Sequence, residues 1–225
     1  MTPRKYCAPD IEGIVMLEFK NVSFAYKNCQ NIYTDFSYRF DAGKLYAVTG
    51  ASGRGKSTLL FLAAGFEKPT RGAVEYNGRD IAKIDRSAYR ARSIGVVFQS
   101  YNLLMSNTAA DNVVMALYLS QKHFNYSSAY EKALEMLAEV GIDREKSRRG
   151  VLELSGGEQQ RVALIRAAAG ESDILLADEP TGNLDADNHN FIMRYLRRQT
   201  ELGKTVIIAT HNPAALEYAD FELRI

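Results

Sequence analysis

One stretch of this 225-residue chain combines glycine with residues that bind phosphate: Gly50-Ala51-Ser52-Gly53-Arg54-Gly55-Lys56-Ser57, a complete P-loop pattern. Its glycines let the backbone curl so that N–H groups converge on phosphate oxygens, and the helix that follows adds its positive N-terminal end. In this pattern Lys56 reaches the terminal phosphates and the Ser57 hydroxyl can bind Mg²⁺. The stretch therefore predicts a site for a nucleoside triphosphate.

A second stretch, Leu154-Ser155-Gly156-Gly157-Glu158-Gln159-Gln160-Arg161, also has the character of an anion-binding helix start, and we call it the signature segment. Ser155 and Glu158 form a capping-box pattern, which a plain helix start would explain. The two glycines between them weaken a first helical turn, so they indicate the close approach of a ligand. The terminal phosphates of one nucleotide need only one P-loop. The signature segment is therefore expected to serve a nucleotide that another chain holds.

Two adjacent carboxylates, Asp178 and Glu179, end the apolar run Ile174–Ala177. A buried strand tolerates such a pair at its carboxyl end, where α/β proteins form their ligand sites. Neighbouring residues of a strand point in different directions, so one carboxylate can bind a metal while the other faces an attacking water. This arrangement predicts Asp178 as a Mg²⁺ ligand and Glu179 as a general base. A solvated acidic turn is the alternative.

The signature segment resembles the signature motif of ATP-binding-cassette (ABC) ATPases, which other P-loop enzymes lack. The resemblance extends over residues 17–220 and implies roles at further positions. Tyr26 is similar to the aromatic residue that stacks on adenine, although an ordinary tyrosine at a strand end is the alternative. Gln99 resembles the residue that touches Mg²⁺ and water and responds to a membrane partner. His211 resembles the histidine that holds the γ-phosphate, and Asn183-Leu184-Asp185 resembles the loop that crosses a dimer interface.

The resemblance thus implies a full set of site residues for ATP, Mg²⁺ and hydrolysis. The expected nucleotide contacts are Tyr26, Gly50, Ala51, Ser52, Gly53, Arg54, Gly55, Lys56, Ser57, Thr58, Ser155, Gly156, Gly157 and Asp185. The expected Mg²⁺ ligands are Ser57, Gln99 and Asp178, and the expected catalytic residues are Glu179, His211, Gln99 and Lys56. Arg54 departs from the family pattern, in which a small residue is usual at its position.

Alternating strand-like and helix-like patterns must position these residues. Strands are predicted at 17–24, 36–40, 45–49, 73–76, 94–98, 174–177 and 205–209, and helices at 57–65, within 108–140, at 158–169 and at 189–202. Strands that alternate with helices indicate an α/β layered fold. The resemblance makes this a P-loop NTPase of the ABC ATPase fold, with a central, mostly parallel sheet, an antiparallel β subdomain and an inserted helical subdomain. One domain is expected over residues 1–225, with the helical subdomain at about 100–160.

Two segments, 97–104 and 178–185, resemble the lipoprotein-release, macrolide-efflux and cell-division branch of the ABC family. The resemblance implies an ATP-hydrolysing subunit in the cytoplasm, peripheral on the inner face of the membrane. Two copies would sandwich two ATP molecules and drive a separate membrane permease. A nucleotide-dependent scaffold of the cell-division type is one alternative. A soluble ABC ATPase that acts in DNA repair or on ribosomes is another.

Composition limits the possible partners. The formal net charge of +1 gives no electrostatic case for a nucleic-acid partner, so none is expected. The sequence has no apolar run near the roughly 20 residues that span a bilayer. An apolar cluster follows Gln99, however, where a loop is expected: Tyr101, Leu103, Leu104 and Met105. Such a cluster either packs into the core or is offered to a partner, here a permease.

Overall fold

The computed structural model describes residues 15–27, 30–121, 123–182 and 185–225. Its strands are β1 Val15–Phe24, β2 Tyr33–Asp41, β3 Leu45–Thr49, β4 Arg71–Tyr76, β5 Arg79–Asp80, β6 Ile94–Val97, β7 Ile174–Asp178, β8 Thr205–Ala209 and β9 Phe221–Arg224. Its α-helices are α1 Lys56–Ala63, α2 Arg86–Arg92, α3 Ala109–Ser120, α4 Tyr126–Glu139, α5 Arg144–Ser147, α6 Gly156–Ala168 and α7 Ala186–Glu201. Short 3₁₀ segments occur at Ile81–Lys83, Val151–Glu153 and Pro213–Tyr218.

A parallel sheet of order β6-β7-β8-β3-β9 forms the centre of the described structure. Its inner strands are apolar on both faces, as expected for strands that helices cover on both sides. Along β7, Ile174 and Leu176 pack in the same core cluster as α1, whereas Leu175 and Ala177 pack with α6 and α7. The sheet therefore presents its strand ends, and not its faces, to solvent.

An antiparallel sheet of order β2-β1-β4-β5 lies beside the parallel one and shares its core. Phe19 of β1 makes edge-to-face contacts with Phe36 and Phe40 of β2, at ring-centroid distances of 5.5 and 6.0 Å. Such aromatic pairs add to the stabilisation that burial alone provides. Together the two sheets and the helices confirm the predicted ABC ATPase fold class.

Helices α3, α4 and α5 lie between β6 and β7 and pack around a second core that includes Val113, Leu117, Leu134 and Leu137. The helical stretch expected within 108–140 is two helices, because a Thr108 capping box starts α3 and α4 has its own N-cap. One face of α6 packs in the helical core and another face packs against the parallel sheet, so this helix joins the two cores. In the described ranges, every helix is too short or too polar to cross a bilayer.

Candidate functional site

Four parallel strands end at one edge of the central sheet, and each leads into a motif predicted from the sequence. β3 enters the P-loop, β6 precedes Gln99, β7 ends in Asp178 just before Glu179, and β8 precedes His211. The pairing registers bring the last residues of these strands level with one another. Motifs that are far apart in the sequence therefore meet at the carboxyl edge, where α/β sheets bind ligands.

A cavity of about 400 Å³ opens at this edge. Its lining is Tyr26, Ile32, Ser52, Gly53, Gly55, Lys56, Ser57, Thr58, Gln99, Asp178, Glu179 and His211. The volume is typical of sites for small molecules. Gly50, Ala51 and Arg54 belong to the same loop but do not line the cavity, and neither do Ser155, Gly156, Gly157 and Asp185. The structure thus brings most of the predicted P-loop, metal and catalytic residues together in one cavity, whereas the signature segment lies outside that cavity.

The P-loop backbone needs glycine at two positions in particular. Gly50 has a φ of 145°, and a Cβ built on it would lie 2.3 Å from the Ile225 carbonyl oxygen. Gly55 has a φ of 103°, and its Cβ would lie 2.4 Å from a methyl group of Ile32. These conformations curl the loop into the start of α1 at Lys56, whose ammonium donates to the Gly50 carbonyl oxygen at 3.0 Å. The loop amides and the helix N-terminus form an anion-binding concavity.

Ser57 and Asp178 lie together in the cavity and offer two side-chain oxygen groups that could bind a metal ion. Burial raises the pKa of Asp178, and a hydrogen bond from the Ser57 hydroxyl opposes that rise. Gln99 lines the same cavity and adds an amide oxygen. Within the described ranges no cluster of three or more histidine, cysteine, aspartate or glutamate side chains could hold a metal by itself. A few oxygen ligands beside a phosphate loop fit Mg²⁺, which normally keeps waters and shares its coordination sphere with substrate phosphates.

Glu179 is held in an unusual backbone conformation directly after β7. Its φ is 47°, in the left-handed region that side-chain-bearing residues rarely adopt, and its N–H donates to the Ala209 carbonyl at 2.8 Å. A 2.8 Å hydrogen bond joins its Oε1 to Nδ1 of His211. Its side chain is only 12% exposed, whereas that of His211 is 72% exposed. The strained backbone and the histidine together fix the direction of a largely buried carboxylate.

Tyr26 lies just after β1 and is 38% exposed at the cavity. Its ring contacts that of Phe24 edge-on, with the centroids 4.9 Å apart. This contact fixes the ring while the rest of it stays accessible. An accessible aromatic face beside a phosphate site suits stacking on a purine base. The position of Tyr26 is therefore compatible with the predicted stacking on adenine, which stays a prediction.

Ser155 caps the N-terminus of α6 in a complete capping box. Its N–H donates to Glu158 Oε2 at 2.9 Å, and the Glu158 N–H donates to its hydroxyl at 3.4 Å. Lys146 approaches the other Glu158 oxygen at 2.8 Å. The Lys146 ammonium, with the Ser155 N–H, lowers the pKa of Glu158 to about 2. Ser155 and Gly156 are exposed, so the positive end of α6 is accessible from outside the chain.

The start of α7 lies next to the signature segment. A Cβ built on Gly157 would lie 3.6 Å from Nδ2 of Asn188, and this amide donates to the Asp185 carboxylate at 3.0 Å. Asp185 also caps α7 through the Asn188 N–H. Two of the residues predicted to cross a dimer interface, Asn183 and Leu184, lie outside the described residues. Asp185, the third, shares one surface with Gly157.

A groove of about 370 Å³ lies between α2, α3, α6 and β6, and we call it the docking groove after the role that the sequence predicts for Leu104 on its wall. Its lining includes Phe66, Arg90, Phe98, Asn102, Leu104, Asn112, Met115, Leu119 and Arg166. The apolar cluster predicted after Gln99 divides here. Leu103 is buried in the helical core, whereas Leu104 and Met105 are 40% and 46% exposed. Sequence reasoning missed Phe66, Arg90 and Arg166 as parts of this surface, because only the fold brings them near Leu104.

Comparison with known proteins gives consistent results. The family model described as ABC transporter matches residues 33–182. The uncharacterized ABC transporter ATP-binding protein YclH of Bacillus subtilis is 39% identical and covers 93% of each chain. The lipoprotein-releasing system ATP-binding protein LolD of Syntrophotalea carbinolica is 38% identical, covering 89% of this chain and 90% of that protein. The cell division ATP-binding protein FtsE of Escherichia coli K12 is 36% identical, covering 88% of each chain.

A solved structure matches the same fold over nearly the whole chain. It is the dimeric post-hydrolysis state of the ATP-binding cassette MJ0796, bound to ADP and Pi, with a TM-score of 0.86 and 32% sequence identity. The match covers 92% of this chain and 94% of that one. The bound nucleotide and phosphate in that relative agree with the phosphate chemistry of the cavity described above.

Proposed function

This chain belongs to the ABC transporter family and is an ATPase of that family, and we propose that it is the ATP-hydrolysing subunit that drives a separate membrane permease. The proposal rests on one observation: the predicted site residues lie in two separate places on the chain. Lys56, Asp178 and Glu179 line one cavity, while Ser155 and Gly156 lie outside it at the exposed start of α6. A chain that carries two complementary half-sites can complete both by pairing with a second copy about a two-fold axis.

In the proposed dimer each ATP lies between the P-loop of one copy and the signature segment of the other. Lys56 and the P-loop amides hold the phosphates, and Tyr26 stacks on the adenine. Ser57, Asp178 and Gln99 would hold Mg²⁺. Bound Mg²⁺ would neutralise charge that develops on the phosphates. The glycines of the partner's signature segment allow its helix N-terminus to approach the γ-phosphate closely.

Glu179 acts as the general base in this proposal. Its carboxylate takes a proton from the water that attacks the γ-phosphate, and Gln99 helps to orient that water. His211 holds the carboxylate through its Nδ1 hydrogen bond and, being mostly exposed, can turn its other nitrogen toward the phosphate. In phosphoryl transfer, positioning and charge stabilisation provide most of the catalysis, so the fixed direction of Glu179 is the main contribution of this pair.

The permease is proposed to dock in the groove beside Leu104. An amphipathic helix that lays its apolar face into a hydrophobic groove is a common mode of recognition, and the lining of this groove is mainly apolar. The occupant is then a short helix on the cytoplasmic side of the permease, and the chain lies in the cytoplasm against the inner face of the membrane. Residues 1–225 form one ABC ATPase domain in this proposal, with residues 100–160 as its helical subdomain.

Nucleotide-dependent assembly tests the sandwich. The Glu179→Gln protein should form dimers with ATP and stay monomeric with ADP, as measured by light scattering after gel filtration. The matched control adds Gly156→Asp, which places a carboxylate where the partner's phosphates would lie. The double variant should bind ATP like Glu179→Gln alone but remain monomeric. A dimer that forms equally with ATP, with ADP and without nucleotide would contradict the proposed cycle.

The similarity to FtsE favours a second candidate, an ATP-dependent scaffold of the cell-division type. The two candidates share the ATP cycle and differ in what the membrane partner does. Co-reconstitution with the membrane protein that co-purifies with the chain separates them. Movement of a substrate that depends on Glu179 supports transport. A complex whose ATPase is stimulated without any substrate movement supports the scaffold.

A further inference from the structure

Arg54 is a charged residue of the P-loop that lies outside the ATP cavity. Its neighbours Ser52, Gly53 and Gly55 line that cavity. The Arg54 N–H donates to the Ala51 carbonyl at 3.3 Å, and the flanking glycines have positive φ, 77° at Gly53 and 103° at Gly55. The loop thus presents Arg54 on its outer side, where the residue is exposed to solvent.

The Arg54 side chain is a cation without a counter-ion in its own chain. Among the described residues it makes no hydrogen bond and no ion pair. A small residue is usual at this position in ABC ATPases, so the ATP cycle itself does not require a charge here. A guanidinium presents its donors in a rigid fork that matches a carboxylate. An exposed guanidinium beside the site therefore suits an acidic group that arrives from outside the chain.

An exposed carboxylate lies directly before the signature segment. Glu153 ends the 3₁₀ turn Val151–Glu153, and both it and its neighbour Leu152, at 71% exposure, face solvent. Arg149, the cation on which the charge of Glu153 acts, is paired with Glu145, and Glu153 forms no ion pair in the described part of the chain. A large apolar side chain and a free carboxylate thus stand at the edge of the surface that the proposed dimer buries.

Three other described carboxylates lie in the signature segment or at the start of α7, and each already has a role. Glu158 is paired with Lys146. Asp185 caps α7 and accepts from the Asn188 amide. Asp187 lies in the first turn of α7, where a carboxylate offsets the positive end of the helix. The carboxylate directly before the signature segment is therefore better placed than these three to pair across an interface.

We propose that Arg54 of each copy pairs with the partner's Glu153 when ATP closes the sandwich. The inference rests on the proposed sandwich and deepens it. In that dimer each signature segment covers the P-loop of the other copy, which brings the exposed guanidinium and the exposed carboxylate to the same edge. The pair forms twice, because a two-fold interface repeats every contact. Both are positioning residues, since charges at the rim of an interface steer the encounter and fix its register.

Charge reversal in separate chains tests whether the pair crosses the interface. In the Glu179→Gln background, Arg54→Glu and Glu153→Arg should each weaken ATP-dependent dimerisation about tenfold or more, because each homodimer sets like charges against each other twice. An equimolar mixture of the two variants restores both pairs in the heterodimer and should dimerise almost as well as the parent. Light scattering measures each dissociation constant, at an ATP concentration that a fluorescent analogue shows to be saturating for each variant.

Asp187→Arg is the matched control for Glu153→Arg, because it also reverses an exposed carboxylate beside the proposed interface. Mixed with Arg54→Glu, it should not restore dimerisation. The loss caused by Arg54→Glu should also shrink between about 0.05 M and about 0.5 M salt, which screens exposed charges. Rescue by Asp187→Arg in place of Glu153→Arg would overturn the assignment to Glu153. A mixture of Arg54→Glu and Glu153→Arg that dimerises no better than either variant alone would overturn the pair.

A second background keeps the test decisive if Arg54→Glu cannot be saturated with ATP. Arg54→Gln removes the charge without reversing it, so adding Glu153→Arg to it should cost much less dimerisation than adding Glu153→Arg to the parent. Equal costs in the two backgrounds would overturn the pair. Failure of Glu179→Gln itself to dimerise with ATP would overturn the sandwich and the pair together. A parent that dimerises with ATP but shows no coupling between the two charges would overturn the pair alone.

Discussion

The Glu179 carboxylate and the His211 imidazole are joined by a 2.8 Å hydrogen bond between Oε1 and Nδ1, and the His211 backbone N–H approaches Oε2 at 3.4 Å. Both oxygens of one carboxylate therefore face His211, the second residue after β8. The two residues follow the neighbouring parallel strands β7 and β8, whose ends the sheet register holds level. The sheet therefore fixes the starting points of both segments, and the hydrogen bond between them orients the proposed base.

Replacement of Glu179 by glutamine should abolish most turnover and spare binding. Glutamine keeps the size and one hydrogen-bond acceptor but cannot take a proton. A general base contributes about 10²–10⁴-fold, so kcat should fall by that factor. The measurements are steady-state phosphate release and equilibrium binding of ATP. Activity close to that of the unmodified protein would remove Glu179 from this role.

The His211 contact predicts coupling between the two residues. His211→Ala should lower kcat because the carboxylate loses its orienting partner. In the Glu179→Gln background the same change should cost much less, since residues that act as a unit give non-additive losses. A double-mutant cycle on kcat measures this difference. Strictly additive losses would show that His211 acts on the phosphate without acting through Glu179.

Tyr26 should contribute to ATP affinity through its ring and not through its hydroxyl. Stacking of an aromatic side chain on a base contributes about 1–3 kcal/mol, so Tyr26→Ala should weaken ATP binding about tenfold or more. Tyr26→Phe should be nearly neutral. Titration calorimetry with ATP in the Glu179→Gln background avoids hydrolysis during the measurement. Equal affinities for Tyr26→Ala and its parent would leave Tyr26 a purely structural role.

The P-loop, the Asp178–Glu179 pair and the strands that carry them were predictable because their chemistry depends on residues adjacent in sequence. An apolar run followed by a phosphate loop or by carboxylates specifies both the element and its functional end. Helix α7 starts at Ala186, three residues earlier than predicted, because Asp185 caps it. β9 was not predicted: its four residues alternate apolar and polar side chains, but so short a pattern does not stand out until the fold pairs it with β3.

The docking groove and the Arg166 contacts could not be predicted in the same way. In the sequence, Arg166 looks like an ordinary polar residue of an amphipathic helix. Its hydrogen-bond partners are the backbone carbonyls of Tyr101 and Asn102, and a backbone carbonyl leaves no pattern in the sequence. Asn112 is likewise an ordinary helix residue until the fold buries it beside Leu104. Contacts between side chains and distant backbone groups depend on the tertiary structure, and no local sequence feature predicts them.

The Glu158 capping box should make a pH-dependent contribution to stability. The folded pKa of about 2 lies below the ordinary value of 4.5, so the carboxylate stabilises the fold above about pH 4.5 and loses that effect as the pH falls toward 2. Glu158→Gln keeps the cap acceptor but loses the charge facing Lys146. It should cost about 1 kcal/mol at pH 7, in the range of caps and surface ion pairs.

Denaturant unfolding at pH 7, 5 and 4 tests this dependence. The difference between Glu158→Gln and its parent should hold from pH 7 to pH 5 and begin to shrink at pH 4. Glu139→Gln, at an exposed ion pair with Arg198, is the control and should change stability little at any of these pH values. A difference that stays constant down to pH 4 would show that the charge of Glu158 does not stabilise the fold.

Leu104 should be required for a membrane partner and dispensable for the chain alone. It is 40% exposed on the docking groove, and its backbone, not its side chain, makes the hydrogen bonds to Asn112. Leu104→Glu should therefore leave the fold and the basal ATPase of the isolated protein intact. A buried carboxylate at a helix–groove contact should abolish co-purification with the membrane protein that the unmodified chain captures from solubilised membranes. Leu202→Glu, at a leucine that is 66% exposed beyond α7, is the matched control and should co-purify normally.

Loss of folding in Leu104→Glu would place this side chain in the core. Normal co-purification of a folded Leu104→Glu protein would move the permease site elsewhere, because no apolar helix tolerates an unpaired carboxylate at the centre of its contact.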